Sequence, residues 1–173
     1  MTISEVSTKD LWYDLMQFYT QEAWLLDERK FKQWLNIFTE DVFYFIPRRK
    51  NVYRKDLSRE ITKYGDLAIL EESKRDLQMR IARLDTGMAW AEDPPSRTRH
   101  IIANLVVEPL ENGEVKAKTA FLLYKSHLEY DQDLYAGMRE DILRQVDGEW
   151  KVAKRTIVLD ANVLLTKNVS VFF

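Results

Sequence analysis

The run IIANLVVEPLENGEVKAKTAFLLYK, Ile101 to Lys125, holds two apolar stretches on either side of Asn112-Gly113. Asn-Gly between alternating hydrophobics is the strongest short-range hairpin signal, because both turn residues tolerate positive φ. Taken as a two-residue turn, it sets Glu111 opposite Glu114, Leu105 opposite Ala120 and His100 opposite Lys125. Ile101, Ala103 and Leu105 then share one face with Ala120, Leu122 and Tyr124, while Ile102 and Val106 share the other with Phe121 and Leu123. A β-bulge would shift these partners. An antiparallel sheet with one wet face alternates cleanly between apolar and polar residues. Both faces here are largely apolar, so both need cover. Helices of the same chain can supply one cover; the other needs more of this chain or another subunit.

Working outward, Asp147-Gly148 repeats the turn signal and sets Leu143 opposite Val152 and Asp141 opposite Lys154. Two long hairpins in succession make a meander of about four strands. The N-terminal half reads differently. Ser7 or Thr8 caps one long helix, or one with a break near Asp27, running to about Glu28, with Leu11, Leu15, Phe18, Glu22 and Leu25 at helical spacing. A shorter helix places Phe31, Trp34, Leu35 and Phe38 on one face. Val42 to Ile46 is a strand closed by Pro47. Arg48 to Tyr64 is a charged excursion capping one end of the fold. Leu67 to Leu70 is a short strand, and Glu71 to Leu84 a helix with Leu77, Met79, Ile81 and Leu84 for burial and Gly87 as its stop. Helices followed by a long curved antiparallel sheet is an α+β layout. At 173 residues the chain is one domain, residues 1–173, with residues 1–7 as a flexible N-terminal arm.

The composition excludes several functions. Net charge is −2, which argues against nucleic-acid or membrane-surface binding. No apolar stretch reaches the ~20 residues that span a bilayer. There are no cysteines, which suits a cytoplasmic protein and removes thiol nucleophiles and disulfides. It also removes any Rieske cluster, which needs two cysteines and two histidines. The five glycines are scattered singly, so no phosphate loop exists.

Two constellations remain for chemistry. On the two-residue-turn register, His100 and His127 are diagonal neighbours with Glu129, and at a distance Glu108, on the same face, an arrangement that does not forbid a two-histidine, one-carboxylate iron site. Lys125, Arg97 and Arg99 crowd it, and a cation is repelled by cations; two ordinary histidines are the plainer reading. Asp41, Tyr44, His100 and Asp141 are the residue types of an acid–base pocket. Against that, Asp141 faces Lys154 and Asp41 sits at a turn. The loop WAEDPPSRTRH, Trp90 to His100, is stiffened by Pro94 and Pro95 and presents Arg97 and Arg99 on one side. Such a loop docks a carboxylate or a partner backbone; a solvated surface loop is the alternative. Val163 to Leu165, Val169 and Val171 to Phe173 are apolar, and an exposed Phe172-Phe173 is an aggregation hazard, so this segment docks on its own sheet or into a neighbour.

Matches in order along the chain carry a resemblance: Tyr19-Thr20-Gln21-Glu22-Ala23, Leu26-Asp27, Trp34, Phe38-Thr39-Glu40-Asp41 to Tyr44, Pro47 and Arg48, Arg83 to Gly87, the Trp90–His100 loop, Gly137-Met138-Arg139-Glu140-Asp141, Asp147 to Lys151, Arg155 to Asp160, Asn168 and Phe172-Phe173. The chain resembles the small (beta) subunits of bacterial aromatic-ring-hydroxylating dioxygenases of the Rieske type. The resemblance implies the cone-shaped fold of nuclear-transport-factor-like and scytalone-dehydratase-like domains. It also implies a structural, non-catalytic subunit in a three-plus-three hexamer. There the large (alpha) subunit holds the [2Fe-2S] Rieske cluster, the mononuclear Fe(II) and the substrate pocket, and the small subunits form a trimeric base. The complex converts aromatic hydrocarbons to cis-dihydrodiols with O2 and electrons from NADH, through a reductase and usually a ferredoxin. Asp93, Pro94, Pro95, Arg97 and Arg99 are then candidates for contact with the large subunit. Phe172, Phe173 and the second apolar sheet face are candidates for contact between small subunits. A free-standing cone-fold dehydratase or isomerase is the alternative, and a homo-oligomeric binder of a small apolar ligand a third.

Overall fold

The computed structural model describes residues 8–86, 92–162 and 170–173. The expectations placed on residues 1–7, Gly87, Trp90, Val163 to Leu165, Asn168 and Val169 lie outside the described residues. The elements in order are α1 (Thr8–Asp27), α2 (Phe31–Trp34) running into a 3-10 turn (Leu35–Ile37), β1 (Phe38–Pro47), a 3-10 turn (Arg54–Arg59), β2 (Ala68–Glu72), α3 (Lys74–Asp85), β3 (Arg97–Pro109), β4 (Val115–His127), β5 (Asp131–Val146) and β6 (Glu149–Leu159). They form one six-stranded sheet ordered β2-β1-β6-β5-β4-β3. Only the β1–β6 pair is parallel. Among the described residues, no helix is long and apolar enough to cross a membrane.

The helix α1 lies along β3 and buries Leu11, Leu15, Tyr19, Glu22 and Leu26, a stripe at helical spacing. Glu22, a carboxylate in the middle of that stripe, is the one member that hydrophobic patterning does not explain. The second helix is shorter than the sequence suggests: its apolar face is shared out among one α turn, a 3-10 turn and the start of β1 at Phe38. Helix α3 starts three residues later than expected because Ser73 caps it, its hydroxyl accepting from the Asp76 N–H while Asp76 accepts from the Ser73 N–H. Leu77 and Ile81 are buried, but Met79 points outward.

The first hairpin is not a two-residue turn. Pro109 pairs with Val115, and the loop between them is closed by the Leu110 N–H donating to the Glu114 carbonyl at 2.9 Å. Further along, Ala103 pairs with Ala120 and Val106 with Lys118, so Asn104 and Leu105 together face Thr119. Asn104 takes φ 56°, a left-handed conformation that asparagine tolerates. The longer loop and this bulge each shift the expected register by one, so His100 lies opposite Leu123, not Lys125, and the bulge turns Leu105 onto the inner face. The second turn is as expected, with Asp147 and Gly148 at φ 54° and 82° and Leu143 opposite Val152. A second bulge at Ala153 then moves Asp141 from Lys154 to Arg155.

The concave face holds the core, with Trp34, Phe38, Tyr44, Phe121 and Leu143 under the helices. Residues 170–173 run into it. Phe172 packs on Trp34 at 4.7 Å and Phe173 on Phe121 and Tyr135 at 5.6 and 5.4 Å. They are 3% and 1% exposed. Of the two docking outcomes expected for this pair, the chain's own sheet is the one realised, so Phe172 and Phe173 are withdrawn as candidates for contact between subunits.

Gly137 in β5 has no room for a side chain: a Cβ there would stand 2.3 Å from the Val158 carbonyl and 3.1 Å from the Phe121 ring. Gly137→Ala is expected to cost roughly 1–3 kcal/mol or more, because the obstacle is backbone of the next strand. Thermal denaturation of the two proteins checks this.

Candidate functional site

The interior of the cone is organised around one cation. Arg155, on β6, is fully buried. Its Nε and Nη2 donate to the two carboxylate oxygens of Asp141 at 3.0 and 2.7 Å. Its Nη2 also donates to Glu22 at 3.0 Å, and Nη1 donates to Glu22 and to the Phe173 carbonyl oxygen, the latter at 3.0 Å. All five guanidinium donors are thereby spent. Trp34 donates to Glu22 at 3.0 Å and Tyr19 to Asp141 at 2.9 Å. Arg139 stands 3.3 Å from Glu22 and lies over the Tyr19 ring at 5.2 Å. Two carboxylates and two guanidiniums balance, which is the condition for holding charge in a dry interior.

Burial alone would raise the Glu22 pKa, but Arg155 and Arg139, with the Arg155 and Trp34 hydrogen bonds, bring it down from 4.5 to about 2. Burial pushes the Tyr44 phenol up to about 12 and Tyr19 well above its ordinary value. Tyr44 is occupied as well: its hydroxyl donates to the Phe173 carbonyl oxygen at 3.1 Å and accepts from the Phe173 N–H at 2.9 Å.

A second knot ties α1, β3 and residues 170–173 together. Asp27, at the end of α1, accepts from the His100 N–H and the Thr98 hydroxyl, each at 3.1 Å, and lies 2.6 Å from His100 Nδ1. His100 Nε2 lies 3.0 Å from the Phe172 carbonyl oxygen. Arg80 holds the same segment from α3, donating to the Val171 carbonyl at 3.0 Å with its guanidinium 4.4 Å over the Phe172 ring.

The four residues proposed for an acid–base pocket are therefore not brought together. Tyr44 and Asp141 belong to the Arg155 network, and His100 belongs to the Asp27 knot. Asp41 is exposed and pairs with Arg144 at 3.2 Å. Nor do the histidines converge. His100 lies opposite Leu123 and His127 four positions further along β4, roughly 13 Å at strand rise. His127 instead bonds the Pro94 carbonyl at 2.9 Å. Among the described residues, no group of three or more His, Asp or Glu is placed to hold a metal ion. With no cysteine in the chain, the donor set does not fit a Rieske cluster.

The Pro94-Pro95 loop is built from beneath. Glu92 takes Lys125 at 2.7 Å and the Ser170 hydroxyl on one oxygen and the Ser96 N–H at 3.2 Å on the other. These bonds lower its pKa although burial opposes them. Above this base Asp93, Pro94, Pro95, Arg97 and Arg99 are all exposed. Arg99 is partly committed to its own chain, 3.5 Å from Asp27 and 5.4 Å over the Trp24 ring. A cavity of about 230 Å³ opens beside the loop, lined by Leu26, Phe31, Leu84, Ser96, His100 and Phe172 among others.

Most residues of the two knots are among those on which the sequence resemblance rests. Tyr19, Glu22, Asp27, Trp34, Tyr44, Arg139, Asp141, Arg155 and Phe173 come from seven separate stretches and meet inside one cone. Comparison with known proteins agrees. The profile of the ring hydroxylating beta subunit family matches residues 21–166. The chain belongs to that family. It is 39% identical to the 3-phenylpropionate/cinnamic acid dioxygenase subunit beta of Photorhabdus laumondii over 95% of this chain and 92% of the relative. It is 34% identical to the biphenyl 2,3-dioxygenase subunit beta of Rhodococcus jostii over 94% of this chain and 89% of the relative. A naphthalene 1,2-dioxygenase structure with indole in its active site superposes with a TM-score of 0.85 at 21% identity, covering 98% of this chain and 89% of that one. A Novosphingobium aromaticivorans protein assigned as a scytalone dehydratase shares the fold at TM-score 0.61 and 13% identity, covering 86% of this chain and 83% of that one.

Removing one partner from the buried network strands the others. Arg155→Met is expected to cost about 3–5 kcal/mol in denaturant unfolding. The Glu22 carboxylate contributes stability that is full above pH 4.5 and is lost as pH falls toward 2, because its folded pKa lies below its unfolded one. Acid unfolding followed by fluorescence therefore has a steep limb in that window. Glu22→Gln, at lower overall stability, flattens it.

Proposed function

We propose that this chain is the bracing small subunit of an aromatic-ring dioxygenase and does no chemistry itself. The observation that carries the reading is the filled interior. Where a cone-fold enzyme needs a cavity with free acid–base groups, Arg155 takes up Glu22 and Asp141, the Phe173 main chain takes up Tyr44, and residues 172–173 occupy the space. The fit of donors points the same way: the Rieske cluster and mononuclear iron belong on the large subunit, whose pocket selects the aromatic substrate. The complex would add both atoms of O2 to the ring, taking NADH electrons through a reductase and ferredoxin, in the cytoplasm. The dehydratase or isomerase alternative has one acid–base pair beside a cavity, His100 with Asp27, but both ring nitrogens of His100 are already engaged, one by Asp27 and the other by the Phe172 carbonyl oxygen.

A rigid base suits that task, because electron transfer between chains demands fixed geometry. The outer sheet face supplies a contact between small subunits. Ile101 and Leu122 are cross-strand partners there, as are Tyr124 and Leu134, and all four are exposed. Nothing in the described chain covers them, and an apolar patch of this kind marks a protein contact. Three copies around an axis would close it.

Expressed alone, the chain is expected to self-associate and turn over no small substrate; co-expressed with its large subunit, it co-purifies as a stoichiometric oxygenase. Turnover by the isolated chain, or failure of the wild-type pair to associate, overturns the reading. Leu122→Glu is expected to lower the oligomeric state of the isolated small subunit, seen by light scattering, with little change in melting temperature. Arg97→Ala is expected to weaken binding to the large subunit without loss of stability, since Arg97 is exposed and makes no ion pair among the described residues.

A further inference from the structure

The two ends of the sheet are chemically unlike. At one end lie the C-termini of β1, β4 and β6 and the N-termini of β2, β3 and β5, as the strand pairings require. The 48–67 excursion extends beyond this end, pinned by the Arg49–Ile61 bridge and by Arg49 reaching Asp160 at 2.7 Å. The Pro94-Pro95 loop and the β4–β5 turn sit at the same end. Six large apolar side chains stand exposed on it: Tyr53, Leu57, Tyr64 and Leu67 on the excursion, Leu128 and Tyr130 on the turn. Tyr53 and Tyr130 are 81% and 89% exposed. The two hairpin turns at the opposite end, residues 110–114 and 147–148, expose none.

Charge is equally lopsided. Residues 48–67 hold seven Lys/Arg against three Asp/Glu, a net +4; with −2 for the whole chain, the remainder is at −6. Arg54, Lys55, Arg59 and Lys63 are exposed and form no ion pair among the described residues. Arg49 is the exception that anchors the excursion, its pKa raised by Glu60 and Asp160. The β4–β5 turn is the reverse, with Glu129 and Asp131 exposed. Exposed tyrosine beside unpaired arginine is the composition of an interface centre, and a rim basic at one side and acidic at the other admits a partner in one orientation.

We propose that this rim is the docking surface for the large subunit, and that the excursion meets an acidic face of it. The inference rests on the bracing reading and deepens it. Self-association through the outer face leaves the rim free, so one chain makes two kinds of contact on two separate surfaces. The Pro94-Pro95 loop is then one part of a wider seat whose centre is the excursion.

The test uses the small subunit co-expressed with its large subunit. The triple variant Arg54→Glu, Lys55→Glu, Arg59→Glu is expected to raise the dissociation constant for the large subunit by about tenfold or more, while the isolated variant keeps wild-type melting and self-association. In the wild-type complex, Lys55 and Lys63 are expected to be protected from acetylation relative to the free small subunit. That footprint decides the matter even if the variant is poorly folded. Wild-type pairs that do not associate sink the bracing reading. A complex that forms with Lys55 and Lys63 still reactive, or a free small-subunit oligomer that already protects them, sinks only the rim.

Discussion

The guanidinium of Arg155 is the constraint on which the rest of the structure depends. One buried group with five donors binds a carboxylate from α1, a carboxylate from β5 and the main chain at Phe173, so helix layer, sheet and residues 170–173 share a single point of attachment. Such a network does not make a protein more stable than a well-packed apolar core would; its desolvation cost offsets most of its attraction. What it imposes is uniqueness. Glu22 and Asp141 are satisfied only when α1 lies at one height and angle over the sheet, because any slip leaves a carboxylate buried without its cation.

The same commitment shapes function. A cone of this kind can enclose a pocket, and the enzymes that share the fold show that it is a general scaffold. Here the acids, the phenols and the aromatic pair at 172–173 fill that space and saturate one another. Inside, the Thr119 hydroxyl and the Nε and Nη2 of Arg139 have no hydrogen-bond partner among the described residues; outside, the unpaired groups lie on the outer sheet face and on one rim of the sheet. A rigid body with a filled centre and two unsatisfied surfaces is a part of something larger, in agreement with the beta-subunit family to which it belongs.

Much of this was legible in the residues. Asn112-Gly113 and Asp147-Gly148 marked both hairpins, the stripe on α1 gave its buried face, and two apolar faces on one hairpin announced that a second cover was needed. The network was not legible, although its members stood among the residues that carried the family likeness. Glu22 reads as a surface carboxylate on an amphipathic helix. Arg155 is hidden in the sequence because a two-residue turn without a bulge puts Lys154 opposite Asp141, where the folded sheet has Arg155. One extra residue at Ala153, like the one at Asn104-Leu105, reverses which side chains face inward, and bulges leave little trace in composition.

The sequence by itself determined the fold class, the two hairpins, the absence of thiol ligands and the presence of more apolar sheet surface than one layer of helices can cover. These follow from periodicity, turn chemistry and residue type, which act over a few neighbouring positions. Only the tertiary structure decided which charges meet. Glu22, Asp141 and Arg155 are separated by up to 133 positions along the chain, and their encounter is set by register shifts and helix placement. It likewise decided that Phe172 and Phe173 turn inward, since their polar main-chain groups find partners in Tyr44, Arg155 and His100 only inside the closed cone.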